Sequence, residues 1–251
     1  MVFPLGDDNI GRRCTPYVTL VLIALNVIVF VVFQRLGDNE NFTNAYSAVP
    51  GKIMTGNGGP TEGRIAKDPT TGDVVRVPGL PNTPIPVYLT LLTSMFMHGS
   101  LMHIAGNMWF LWIFGDNVED DLGPERYLGF YLVCGIIAGL AHVLTNQSGT
   151  SAFVPSLGAS GAISGVLAAY VLVHPKRQVR VILFQIMTNV PAYVAIGIWF
   201  GFQLFQGILA GGGDGVAYAA HIGGFIAGLV LIKPLLIGRE PVQESSFFDT
   251  Q

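Results

Sequence analysis

Apolar windows near membrane-crossing length recur along this chain at about residues 16–34, 100–115, 127–145, 158–174, 190–209 and 216–237. Their spacing predicts six spans and an all-α fold, a polytopic six-transmembrane-helix bundle. Residues 1–15 then form an N-terminal tail, 16–238 the membrane domain and 239–251 a C-terminal tail. A long first loop, about 35–99, separates the first two spans. Its first part, rich in Gly, Pro, Asn and Thr, reads as loop, and "VYLTLLTSMFMH" after it as an interfacial helix leading into span two.

Composition agrees with the pattern. The chain is 51% hydrophobic and only 12% charged, which an ordinary soluble globule is not. A formal charge of -3 spread over tails and loops offers no basic patch for nucleic acid. Cys14 precedes the first apolar run and Cys134 lies inside a later one, so their depths differ and no mutual disulfide is expected. The first run lacks a small-residue cleavage signal and reads as a retained span.

Positive charge sets the orientation. Arg12 and Arg13 precede span one, Arg126 lies between spans two and three, Lys176, Arg177 and Arg180 between four and five, and Arg239 follows span six. The connections from three to four and from five to six contain no Lys or Arg. Both termini are therefore expected in the cytoplasm, and the expected location is the plasma membrane of a prokaryote.

With this topology spans two, four and six start from the outer face, and each carries unusual polar residues near that start. His103 and Asn107 in span two are four apart, hence on one helix face. His221 lies about five residues, or about 7 to 8 Å, into span six. Span four, "GASGAISGVLAAYVL", covers about 22 Å of helix against a hydrocarbon core of about 30 Å, so its N-terminus should start below the surface. Ser160 would then lie level with His221. Ionisable groups at such depth point to function. The backbone N–H groups and positive dipole end at a helix N-terminus suit an oxyanion, and a serine becomes a nucleophile beside a base, usually histidine. Gly158 frees the turn before Ser160, while Gly161 and Gly165 on span four, with Gly224 and Gly228 on span six, offer matching grooves for close helix packing.

Three motifs, "HGSLMHIAGN", "GASG" and "AHIGG", in this order on alternate spans from about Thr90 to Gly228, resemble the rhomboid family of intramembrane serine proteases. The resemblance implies a catalytic dyad of Ser160 and His221 without an acidic third member. It also implies an oxyanion hole made by His103, Asn107 and the Ser160 backbone N–H. It implies single-span transmembrane proteins as substrates, in a lipid bilayer, with no cofactor, and "GDNVEDDLGPERYLGFYL" is similar to the family's turn after span two, giving Glu119 and Arg126 structural roles. Many members carry an aromatic residue where this chain has Ser164, so Ser164 either positions His221 through its hydroxyl or is simply small for packing.

Other readings predict other arrangements. Ser160 alone could be a helix cap. A metal site could gather His98, His103 and His221, but no HExxH motif or adjacent acid supports it, and no metal is expected. His98 reads as interfacial, His142 and His174 as solvated or capping, and Trp109 and Trp112 as lipid-facing or packing. A transporter would show paired broken segments in two halves, and none is found. A proteolytically inactive rhomboid-like scaffold typically lacks the serine or the histidine, and both are present. The glycine-rich "AGGGDG" after span five reads as a hinge that lets this span move aside for a substrate helix.

Overall fold

The computed structural model describes residues 2–8, 12–67, 74–183, 186–209 and 218–239; the "AGGGDG" segment and the C-terminal tail beyond Arg239 lie outside them. The chain is mostly helical. Its longer helices fall on the apolar windows: α1 (Tyr17–Ile28), prolonged by a π-helical turn to Phe33, α5 (Leu101–Leu122), α6 (Pro124–Thr145), α7 (Ser160–Val173), α8 (Ala192–Leu209) and α9 (Tyr218–Leu235). Among the described residues, α6 and α9 are long and apolar enough to cross a membrane by length and composition.

The all-α expectation needs correcting at both ends of the bundle. The supposed N-terminal tail contains β1 (Val2–Asp7), which pairs antiparallel with β4 (Gln178–Leu183), itself paired with β5 (Ile186–Pro191). Alternation explains this local choice, because Val179 and Val181 are fully buried while Gln178 and Arg180 face out. The first loop is also structured. It forms α2 (Glu40–Tyr46), α3 (Pro50–Thr55) and a hairpin of β2 (Arg64–Lys67) with β3 (Val74–Val77). The expected interfacial helix is a 3-10 turn at Val87–Leu89, a short α4 (Thr90–Thr93) and another 3-10 turn at Ser94–Phe96, with Val87, Leu91 and Met95 buried.

Helix α7 is the axis of the core. Every residue from Gly161 to Tyr170 is buried, which its nearly uniform apolar sequence permits. The two glycine grooves meet as their spacing predicts. A Cβ on Gly224 would run into the Gly161 carbonyl oxygen, and one on Gly228 into that of Gly165. Helix α6 closes on the same stretch of α7, where a Cβ on Gly165 would lie 2.7 Å from Cys134.

A collar of buried acids at the C-terminal end of α5 ties the helices together. Glu119 accepts the backbone N–H groups of Val18 (2.8 Å) and Thr19 (2.7 Å), capping α1 from 101 and 100 residues away. Asp120 accepts those of Arg13 and Cys14, and Asp116 pairs with Arg12 at 2.7 Å. Arg126 donates to the carbonyls of Leu235 and Ile237, closing the end of α9. The structural roles expected of Glu119 and Arg126 thus have named partners. His174 is not solvated: it is buried, 2.7 Å from Asp121. His142 is buried as well. Cys14 and Cys134 are both free.

Asp7 fastens β1 to this collar, accepting hydrogen bonds from Tyr170 Oη of α7 (2.6 Å) and Asn117 Nδ2 of α5 (2.8 Å). Burial, with the nearby Asp116 charge adding to it, lifts its carboxyl from 3.8 to about 7, against the opposing pull of the Tyr170 hydroxyl and the Arg177 guanidinium. The docked strand therefore holds a proton that the undocked strand loses, and docking weakens as pH rises from about 4 to about 7 and is level above. The expected outcome is that wild-type protein loses thermal stability relative to Asp7→Asn across that window, with a constant gap above pH 7. A gap independent of pH would show that Asp7 ionises alike in both states.

Candidate active site

The site is assembled where α5, α7 and α9 begin. Gly158 sits in the left-handed region with φ 120°, where a side chain is strained, and its N–H donates to the Ser94 carbonyl at 2.9 Å. Gly158 faces no helix groove: a Cβ there would lie 2.8 Å from His103 Nε2 and 3.5 Å from Asn107 Nδ2. The glycine lets the turn press directly on these two side chains.

Ser160 follows as the first residue of α7. The N-cap position is Ala159, which has no side-chain cap, and the Ser160 hydroxyl points elsewhere: its Oγ lies 2.8 Å from His221 Nε2. The helix-cap reading of this serine is therefore set aside. His221 is buried at 9% exposure, with the Trp199 ring of α8 6.2 Å away and tilted by 41°. A hydroxyl at this distance from an imidazole nitrogen can pass its proton along the hydrogen bond.

His103 and Asn107 lie on one face of α5, as their spacing predicts, and both meet the turn at Gly158. His98 departs from its interfacial assignment. It is fully buried, its Nε2 lies 2.9 Å from Asn107 Nδ2, and its ring meets that of His103 edge-on at 5.1 Å. Gln34, at the end of α1, grips the His98 backbone from both sides: Nε2 donates to the carbonyl (2.8 Å) and Oε1 accepts the N–H (3.0 Å). The sequence offered no cue to Gln34, which reads as an ordinary polar residue closing an apolar run, nor to Trp199, which reads as one aromatic among many. Among the described residues no group of three or more His, Cys, Asp or Glu is arranged to hold a metal ion.

Ser164 is fully buried and donates back to the Ser160 carbonyl at 2.7 Å, one helical turn below. Its hydroxyl is thus engaged within α7 and not with His221.

A family model described as "Rhomboid domain" matches residues 86–237. Curated relatives include the mouse "Presenilin-associated rhomboid-like protein, mitochondrial", 31% identical over 172 residues, covering 61% of this chain and 42% of that protein. "RHOMBOID-like protein 12, mitochondrial" of Arabidopsis thaliana is 32% identical over 165 residues, covering 60% and 47%. "Rhomboid protease GluP" of Bacillus subtilis is 33% identical over 138 residues, covering 55% and 24%. The chain spans less than half the length of these relatives. The mitochondrial names overturn the expected plasma membrane of a prokaryote, and with it the placing of both termini in the cytoplasm. What stands is that β1 and Arg239, whose side chain donates to the Leu122 carbonyl, lie at the same end of the bundle.

Three substitutions at two positions test the packing of the site. Ser164→Ala should leave unfolding nearly unchanged, whereas Ser164→Tyr should overpack a closed position and cost roughly 1 to 3 kcal/mol. Gly158→Ala should cost about 1 to 3 kcal/mol in backbone strain alone. Thermal unfolding of the three variants checks both points, and a wild-type midpoint for Ser164→Tyr or Gly158→Ala would show slack where the structure is tight.

Proposed function

Because the chain belongs to the rhomboid family, we propose that it is an intramembrane serine endopeptidase that cuts a peptide bond in or beside the transmembrane segment of a single-span protein. The observation that carries this reading is the 2.8 Å contact between Ser160 Oγ and His221 Nε2 at the head of α7. In this reading α1, α5, α6, α7, α8 and α9 are six spans. The 14 residues of α7 make about 21 Å of helix, so its catalytic end is sunk within the bilayer. The relatives' names support a mitochondrial membrane as the location.

His221 takes the proton of Ser160 as Oγ attacks the carbonyl carbon of the scissile bond. The oxyanion that forms accepts hydrogen bonds from the Ser160 backbone N–H, His103 and Asn107, at the positive end of the α7 dipole. His221 then hands the proton to the leaving amine, and an acyl-enzyme on Ser160 remains. Water, deprotonated by the same imidazole, releases the acid. No cofactor takes part in this scheme. A substrate helix is admitted sideways between α5 and α8, whose Phe110 and Trp199 rings lie 6.2 Å apart.

Labelling by a serine-directed fluorophosphonate in detergent tests the reading. Wild type should label, Ser160→Ala should not, and Ser160→Ala and His221→Ala should each abolish cleavage of a transmembrane substrate while remaining folded. Substantial cleavage by either purified variant rejects the dyad, and no label on wild type leaves a scaffold. Loss of one oxyanion donor costs about 10² to 10³ in rate, so Asn107→Ala should turn over that much more slowly while still labelling. Wild-type turnover would reduce Asn107 to a partner of His98.

A further inference from the structure

The N-terminal strand makes more contacts than a tail would need. Through β4 and β5 it is hydrogen-bonded to the stem of α8, because β5 ends at Pro191 and α8 begins at Ala192. At the same time it is fixed to α5. The Pro4 carbonyl accepts the Trp109 indole N–H at 2.7 Å, and the Phe3 ring stacks on Trp109 with centroids 6.1 Å apart and planes within 17°. Asp7 completes the attachment, bonded to Asn117 of α5 and Tyr170 of α7.

Pro4 is buried and forms one wall of a narrow crevice between the helices. Phe110 and Phe114 of α5, Leu167 of α7 and Ala195, Ile196 and Trp199 of α8 form the rest. Trp199, which lines this crevice, also lies against His221, with ring centroids 6.2 Å apart. On the outer face of α8, Tyr193, Ile198, Phe202 and Phe205 are about half exposed.

We propose that β1 is a strap that binds α8 to α5 and holds the crevice between them shut, so that its undocking controls the admission of a substrate helix to Ser160. The proposal rests on the hydrolytic reading above for its consequence, though not for its mechanics. Opening α8 away from α5 pulls β4 and β5 with it while the Trp109 and Asp7 attachments keep β1 on α5 and α7, so the β1–β4 ladder must break first. The charged and titratable groups around the Asp7 catch are Asp116 of α5 with its partner Arg12, Tyr170 of α7, and Arg177 just before β4, which donates to Asn117. Their arrangement favours the docked strap at low pH, for the reason given for Asp7 above.

The register supplies the test. Gly6 is paired with Arg180, a Cβ at Gly6 meets nothing within 4 Å, and Arg180 is exposed, so Gly6→Cys with Arg180→Cys can be oxidised across the ladder in a Cys14→Ser background. In the full-length protein, the oxidised form should cleave a transmembrane substrate at least tenfold more slowly than the reduced form, while fluorophosphonate labelling of Ser160 is equal in both. Hydrogen exchange over residues 192–202 reads the strap without catalysis and should slow on oxidation. Equal exchange in the two forms overturns the strap whatever the activity, and equal cleavage in the two forms overturns its control of admission. Slowed exchange with no labelling in either form supports the strap and rejects the hydrolytic reading instead.

Discussion

The backbone contact between α7 and α9 is the constraint on which the site depends. Gly161 against Gly224 and Gly165 against Gly228 remove the side chains that would hold two helices apart, so the helices touch main chain to main chain. Their separation fixes the distance from Ser160 to His221, and methyl groups on Gly224 and Gly228, which would run into α7 carbonyls, would push that 2.8 Å contact out of hydrogen-bonding range. In a bilayer, where lipid is as apolar as leucine, such close packing replaces the hydrophobic effect as the force that joins helices. The small residues of α7 thus do two things at once, packing the core and aligning the chemistry.

The opposite end of the bundle is held by different physics. Glu119, Asp120 and Asp116 are buried and would be costly there alone. They are stabilised because each faces main-chain N–H groups or a guanidinium: Val18 and Thr19 for Glu119, Arg13 and Cys14 for Asp120, Arg12 for Asp116. Charge-assisted bonds of this kind are stronger than neutral ones and have fixed directions. One end of the molecule is therefore aligned by the absence of side chains and the other by the presence of charged ones.

This contrast explains what could be read from the sequence. Apolar windows located the long helices, because a helix buried or lipid-facing on every side declares itself by composition, and the meeting of Ser160 with His221 followed from depth along two such helices. The paired glycines had the right spacing to be recognised as grooves. His98 was misplaced, and His142 and His174 are buried and not solvated although His174 does cap α7, because a histidine at the end of an apolar run looks solvated until its tertiary partner is known: Asn107 for His98, Asp121 for His174. The sheets were missed for a similar reason. Short strands such as Val2–Asp7 and Gln178–Leu183 lie some 170 residues apart, and neither has a pattern strong enough to announce the other. Ser164 was legible as a small residue, whereas its bond back to Ser160 was a matter of rotamer.

The capping of α1 by Glu119 bears on how the protein is made. Helix α1 leaves the ribosome before α5, yet the acceptor for its leading N–H groups comes 101 residues later, and the loop that Gln34 clamps comes 64 residues later. Neither partner belongs to a local motif that could form ahead of the rest. During synthesis α1 must therefore wait beside the growing chain with its amides provisionally satisfied by water or headgroups, and only the arrival of α5 locks it in place. α1 and the loop held by Gln34 are thus settled only once α5 is present, although α1 precedes α5 in the chain.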